Sequence, residues 1–286
     1  MMPAAHIKKV IDFNARFRSL LEVLKLIAVS QYHTLEKKLT TFEELTQIIN
    51  EFFASIDIHE LDHPFLKPGN RPMGIVAMTS DAGLLGGLNM QVMSRAIDLV
   101  KANGGKLIVV GEKGQGYAQD ANLGFAFFPG VSDADRYTQA FELRDYLTQK
   151  VMAGELGAVT VVYPRPLSVV MIRVEMEKLL PLDMPEKKET NAASLQSKAV
   201  ILESRPEDII EYLLYILMGE RLYEIFGLSR LAEQAARFTH LEESCNKILD
   251  MNKKLLLQYF KRRHEIIDQN MREIFCASKT IYAKRK

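Results

Sequence analysis

The feature that most constrains this chain is its end. From Ser204 to Lys286 there is a single proline, Pro206, and the stretch reads as one continuous helix. Ser204, Arg205, Pro206 and Glu207 have the form of a capping box, with proline in the first turn where its missing N–H costs nothing. From Leu231 onward apolar or small residues recur at alternating steps of three and four: Leu231, Phe238, Leu241, Cys245, Ile248, Leu255, Tyr259 and Ile266. That is the spacing of a coiled-coil seam. At 1.5 Å per residue such a helix is roughly 120 Å long, several times the diameter of a compact domain of this mass. It must project, and a projecting helix needs a partner.

The other end of the chain supplies one. Val10, Phe13, Phe17, Leu20, Leu24 and Ile27 follow the same alternation, and Leu35, Leu39, Phe42, Ile49, Phe53 and Ile56 resume it after a shift near Gln31. Such an insertion is a stutter, which unwinds a supercoil locally without ending it. Two terminal helices can pair antiparallel when the domain between them has its two ends close together.

Charge excludes some classes. Lys and Arg number 37 against 36 for Asp and Glu, a net charge of +1, which gives no footing for nucleic acid as the main partner. The basic residues are unevenly placed, however. Between Lys253 and Arg263 lie Lys253, Lys254, Lys261, Arg262 and Arg263 with no acid among them; the run is either a solvated helix face or a basic tip that meets an acidic ring or loop. The two cysteines, Cys245 and Cys276, are too far apart along one helix to bond each other, so a reducing compartment is expected. Neither a signal peptide nor a membrane span is expected. The N-terminal stretch is amphipathic, and the apolar run Ile209 to Met218 is short and carries Glu211.

Between the helical ends the pattern changes. A first helix is predicted over residues 4–57, with Thr40-Thr41-Phe42-Glu43 as a possible second cap and break. Residues 58–72 hold Pro64, Pro68, Gly69 and Pro72 and form a boundary. Strands are predicted at Gly74 to Met78, Leu107 to Val110, Phe125 to Phe128, Val159 to Tyr163, Val169 to Val174 and Ala199 to Leu202. Helices fall at Asn89 to Ala102, Gly114 to Ala121 and Asp133 to Met152, and residues 183–198 read as a loop or hairpin. Strand and helix alternate, which argues for an α/β, Rossmann-like, mostly parallel sheet domain over residues 73–203, flanked by coiled-coil helices over 1–57 and 204–286.

Three motifs invite chemistry. His59-Glu60-Leu61-Asp62-His63 matches the zinc-gripping H-E-x-x-H pattern, but that pattern needs helical backbone through its second histidine and Pro64 follows at once. A polar helix end entering a loop fits better. Ser80-Asp81-Ala82-Gly83-Leu84-Leu85-Gly86-Gly87-Leu88-Asn89 stands between a strand and a helix, where an open parallel sheet binds phosphate. It has neither the spacing nor the lysine of a phosphate loop, and its glycines serve a tight turn. Gly111-Glu112-Lys113-Gly114-Gln115-Gly116 is weaker still, and no histidine or cysteine has an activating partner in view. Neither a cofactor, a metal nor a catalytic residue is assigned.

Taken together the motifs resemble one family, the gamma subunit of the F-type ATP synthase. Ser80 to Asn89 is similar to that family's SDRGLCGGLN, with Ala82 in place of arginine and Leu85 in place of cysteine. Glu233-Gln234-Ala235-Ala236-Arg237-Phe238 resembles its EQAARM, and Leu24 to Ser30 its MKMVAAS. Counting on without a gap, Tyr259, Lys261, Arg263, Ile267, Gln269, Glu273 and Ile274 fall where the family has YNKARQAAITQEIxEI. The family's NTxKIT is here Arg16 to Leu21, the glutamine after Arg263 is His264, and the small-residue end is Cys276 to Ile281 with a basic tail.

The resemblance implies a rotor without an active site: two antiparallel helices inside a ring of alpha and beta subunits, and a sheet domain that meets epsilon and the membrane c-ring. It implies subunit contacts at Lys25, Arg237, Arg262, Arg263, His264 and Gln269, a register-fixing amide at Asn252 on the seam, and a peripheral location on the cytoplasmic face of a bacterial membrane. The alternative is a coiled-coil scaffold or adaptor with an α/β domain outside any rotary ATPase. Either way, the isolated protein is expected to bind no ATP in titration calorimetry, since no lysine-bearing phosphate loop is present. Micromolar affinity that disappears in Gly86→Val/Gly87→Val would contradict this.

Overall fold

The computed structural model describes residues 3–39, 43–55, 63–67, 69–181 and 205–283. They fall into two compact units, residues 29–237 and residues 1–28 with 238–286.

The larger unit is built on a five-stranded sheet. Strands β1 (Gly74–Met78), β2 (Lys106–Val110), β3 (Phe125–Phe128), β4 (Val159–Pro166) and β5 (Ile172–Leu180) lie in the order β3-β2-β1-β4-β5. All neighbours are parallel except β4 and β5, which form an antiparallel hairpin. Every residue of β1 is buried, as expected of a central parallel strand covered on both faces. Its alternate residues serve two cores, because the side-chain period of a strand is two. Ile75 and Ala77 meet Val92, Met93, Ala96 and Val100 of α3 (Leu88–Asn103). Val76 and Met78 join Ile108, Val161 and Tyr163 under Leu143 and Leu147 of α5 (Arg136–Met152).

That second core also receives the long helix. Helix α6 runs unbroken from Pro206 to Ala283, 78 residues. Ile210, Leu214, Leu217, Leu222, Ile225 and Phe226 of α6 are buried in the same cluster as α5 and the sheet. With Met218 of the same cluster, the steps of four from Ile210 through Leu214, Met218 and Leu222 to Phe226, and of three from Leu214 to Leu217 and from Leu222 to Ile225, are those of an amphipathic stripe. A short helix, α4 (Glu112–Asp120), follows β2, and its Ala118 closes the α3 side of the sheet.

Two expectations need correction. The first helix is not one rod over residues 4–57 but two, in line with the break allowed before Glu43: α1 spans Ala4–Glu36 and α2 spans Glu43–Ser55, with Thr40 to Phe42 outside the described residues. Tight turns at Lys38 N–H to Leu35 O and Leu39 N–H to Glu36 O close α1. The reason is burial: Ile49, with Leu45 and Phe52, packs into the core beneath α5 and α6. A continuing seam would have left those residues elsewhere. Strand β5 lies later than Val169 to Val174, because Leu167 N–H and Ser168 N–H both donate to Met171 O in a hairpin turn. Val170 and Met171 are apolar but sit in that exposed turn. The expected strand Ala199 to Leu202, and the loop at 183–198, lie outside the described residues.

One glycine is required by geometry. Gly111, between β2 and α4, has φ +100°, and a Cβ there would stand 2.4 Å from the Thr79 carbonyl oxygen. Gly111→Ala is expected to cost about 2–4 kcal/mol in urea unfolding, from strained backbone plus overlap. Gly116→Ala, on α4 with open space around it, should instead be neutral or stabilising by up to ~1 kcal/mol.

Candidate functional site on the helix pair

In the smaller unit α1 and α6 run antiparallel. Asn14 meets Asn252, Leu21 meets Leu241 and Cys245, and Lys25 meets Glu242. Rising along α1 therefore means descending α6. The α1 seam is Ile7, Asn14, Leu21 and Ala28, all buried, at intervals of one heptad.

This differs from the stripe expected on α1. Of Val10, Phe13, Phe17, Leu20, Leu24 and Ile27, only Val10 and Leu24 are half-buried. Phe13 is 65% exposed, Leu20 55% and Ile27 46%. Phe13 and Phe17 stack on each other at 6.1 Å on the outer surface. Helix α1 carries an inward stripe (Ile7, Asn14, Leu21, Ala28) and an outward one (Phe13, Leu20, Ile27) with the same heptad period, so periodicity alone does not decide which turns inward. Small side chains such as Ala28 let two helices approach, and the bulky stripe is left outside.

On α6 the expected seam holds as far as the pairing lasts. Leu241 and Cys245 are buried, and Phe238, Ile248, Leu255 and Tyr259 are half-covered. Ile266 is exposed, as is every residue from Arg263 to Cys276. Large apolar side chains continue through that stretch and just before it: Leu257, Phe260, Ile267, Met271 and Ile274 all face solvent. Exposed apolar surface on this scale marks a surface that another protein covers.

Asn14 Nδ2 donates to Asn252 Oδ1 at 2.9 Å, and Asn252 Nδ2 reaches the Ile11 carbonyl at 3.5 Å. Asn252 was legible as a seam amide; its partner Asn14 was not. The pair satisfies its own polar groups only in one axial register, the known use of a lone amide in an apolar seam.

The residues for which the resemblance implies subunit contacts are dispersed. Lys25 Nζ lies 3.8 Å from Glu242 and 6.0 Å from the centre of the Phe238 ring. Arg262 pairs with Glu265 one turn on, and Gln269 Nε2 donates to Glu273 at 3.4 Å. Arg263 and His264 are exposed. Arg237 belongs to the larger unit, where its Nη1 donates to Gln234 Oε1 at 2.6 Å, and burial lowers the pKa of its guanidinium.

The two loop motifs meet in the larger unit. Asn89 Nδ2 donates to Ser80 Oγ, and its Oδ1 accepts from Ser80 N–H. Asp81 accepts from Glu112 N–H at 2.7 Å and from Gly130 N–H at 3.1 Å, so one carboxylate ties three loops. Leu85 and Leu88 pack on Ala236 of α6. The loop is thus a fastening for the helix, with the side chains of Ser80, Asp81 and Asn89 engaged within the sheet unit. Beside it Glu233 is buried at 4% exposure and held by Arg230 at 2.7 Å. Burial pushes its carboxyl up to about 7, against the pull of Arg230 and Arg237. Of the H-E-x-x-H stretch, residues 59–62 lie outside the described residues. His63 is buried off the helix, its Nδ1 accepting from Phe65 N–H at 3.3 Å.

Comparison with known proteins decides the family. A family model described as ATP synthase matches residues 4–281. The chain belongs to this ATP synthase family. It is a non-catalytic, gamma-type central-stalk chain. The ATP synthase gamma chain of Clostridium perfringens is 26% identical over 276 residues, covering 94% of each chain. That of a Picosynechococcus species is 23% identical, covering 92% of this chain and 95% of the other. In fold, a chain of the Euglena gracilis mitochondrial ATP synthase superposes with TM-score 0.70 at 15% identity, over 99% of this chain and 96% of that one. A central-stalk/c-ring structure from Tetrahymena thermophila gives 0.58 at 18% identity, over 79% and 99%. Among the described residues of this gamma-type chain no helix is long and apolar enough to cross a membrane.

The seam amides give a test. Asn14→Ala, which leaves the Asn252 amide without its partner, should lower stability by about 1–2 kcal/mol. Asn14→Leu/Asn252→Leu should be equal to or more stable than the natural pair in thermal unfolding, as apolar replacement of both partners removes the polar cost. If the leucine pair unfolds at lower temperature than Asn14→Ala, the register account is wrong.

Proposed function

We propose that this chain is the turning shaft of a rotary ATP synthase, with α1 and α6 enclosed by alternating alpha and beta subunits and the sheet domain of residues 73–203, with α2 added to it, as the foot that meets epsilon and the c-ring. The observation that carries this is the outward apolar surface of the helix pair, Phe13, Phe17 and Leu20 on α1 with Leu257, Phe260 and Ile267 on α6. A shaft must present such surface to a ring and hold no chemistry of its own. Rotation of an asymmetric shaft changes which contacts each catalytic site receives, and that differential contact shifts each site among its conformations. The complex sits on the cytoplasmic face of a bacterial membrane, and this chain reaches the bilayer only through other subunits.

Lys25, Arg237, Arg262, Arg263, His264 and Gln269 are the proposed contact residues. They differ in what they have left to offer. Lys25, Arg262 and Gln269 are engaged by Glu242, Glu265 and Glu273, and Arg237 by Gln234. Among the described residues Arg263 is exposed and in no ion pair, so its fork of donors is open to a carboxylate on the ring. Arg262 lies about 100° away around the helix and cannot replace it.

Arg263→Ala should therefore assemble normally, since assembly rests on apolar area, yet lose catalytic turnover or coupling severalfold in the assembled complex. His264→Gln should be neutral or mildly activating. An Arg263→Ala complex with unchanged ATPase rate and unchanged ion pumping would return the basic run to the status of a solvated face.

A further inference from the structure

We propose that two ion pairs, Arg221 with Glu177 and Arg230 with Asp133, form a torsional clamp that fixes the angle of α6 about its own axis on the sheet domain. Arg221 and Arg230 are nine residues apart. At 3.6 residues per turn that separation is two and a half turns, so the side chains leave α6 on opposite sides, about 13 Å apart along its length. Between them runs the buried stripe of Leu222, Ile225 and Phe226.

Their acceptors come from opposite ends of the sheet. Glu177 lies on β5, one edge strand, and Asp133 lies in the loop that leaves β3, the other edge strand. Arg221 grips Glu177 with a two-pronged fork: Nε to Oε1, and Nη2 to Oε2 at 2.8 Å. Its Nη1 is steadied by Glu224 at 2.6 Å, and Glu177 accepts a further hydrogen bond from Tyr163 OH at 3.0 Å. Arg230 Nε donates to Asp133 Oδ1 at 3.0 Å, while its Nη1 is held by buried Glu233 at 2.7 Å. Each arginine is thus fixed on its own helix by an acid three residues on, and reaches across with its remaining donors.

The arrangement suits a twisting load. Apolar burial holds α6 against the sheet but is non-directional, whereas a forked guanidinium-carboxylate pair has a set geometry. Rolling α6 in one sense stretches the pair at one edge; rolling it in the other sense stretches the opposite pair. These four residues are positioning residues, and the inference rests on the rotor reading. Turning force applied to the foot reaches the helix through a joint that resists both directions.

The test uses the complete membrane-embedded complex carrying Glu177→Gln, Asp133→Asn, both together, and the charge-keeping Asp133→Glu. Single-molecule recordings of the stalled complex read the angular spread of the shaft relative to the foot, and vesicle assays read ions pumped per ATP hydrolysed. ATP-driven rotation of the unaltered complex checks the rotor reading separately. The double variant should hydrolyse ATP at a near-normal rate, with a broadened angular spread and a severalfold lower pumping ratio. Each single change should give a smaller broadening, and Asp133→Glu should restore the Asp133→Asn loss. If the double variant does not assemble, the single variants decide by the same readings. Angular spread and pumping ratio both unchanged in variants that rotate would overturn the clamp while leaving the rotor intact, as would an Asp133→Glu that behaves like Asp133→Asn.

Discussion

The structure depends on the burial of one stretch of α6, Ile210 to Phe226, against the same sheet face that α5 covers. Six or more apolar side chains there leave water together; at ~1.5–3 kcal/mol for each fully buried aliphatic or aromatic group, this is the largest share of what anchors the helix. Gly219 lies within the anchored part and Gly227 just past it, where a Cβ would crowd Arg144 and Arg136 respectively. They let the helix settle close to α5.

Past Arg237 the same helix obeys a different rule. It is paired with α1 along a narrow seam, and the bulky apolar residues are turned outward. A protein acting alone would bury Phe13 and Phe17 and expose Ala28. The reverse arrangement makes sense for a member of a central-stalk family, whose helices are a core only when a ring surrounds them. Polar groups fill the seam where apolar ones would be more stable, as at Asn14 and Asn252, which trades stability for one register.

How much of this was legible in the sequence depends on the range of each interaction. Strand β1 could be read residue for residue because Ile75 to Met78 are apolar without interruption, a local signal of burial on both faces. Strand β5 was displaced because Val170 and Met171 carry that same apolar signal and place it in an exposed turn. The α1 stripe was misassigned because two stripes of equal period compete, and the choice between them is made by α6. The ion pairs of Arg221 and Arg230 join residues 44 and 97 positions apart, and no periodicity encodes such pairs. The Ser80 to Asn89 loop could be recognised from its letters, but its purpose was visible only once Asp81 was seen bridging Glu112 and Gly130 and Leu85 lay on Ala236.

The central claim is that α6 is a single helix serving two environments, a core of its own over its first part and a partner's interior over its last. Hydrogen exchange of backbone amides tests it directly, in the isolated chain and again in the assembled complex. The account predicts strong protection from Ile210 to Phe226 in both, and weak protection from Arg263 to Cys276 in the isolated chain that becomes strong on assembly. Full protection of Arg263 to Cys276 in the isolated monomer, or its absence in the assembled complex, would contradict it.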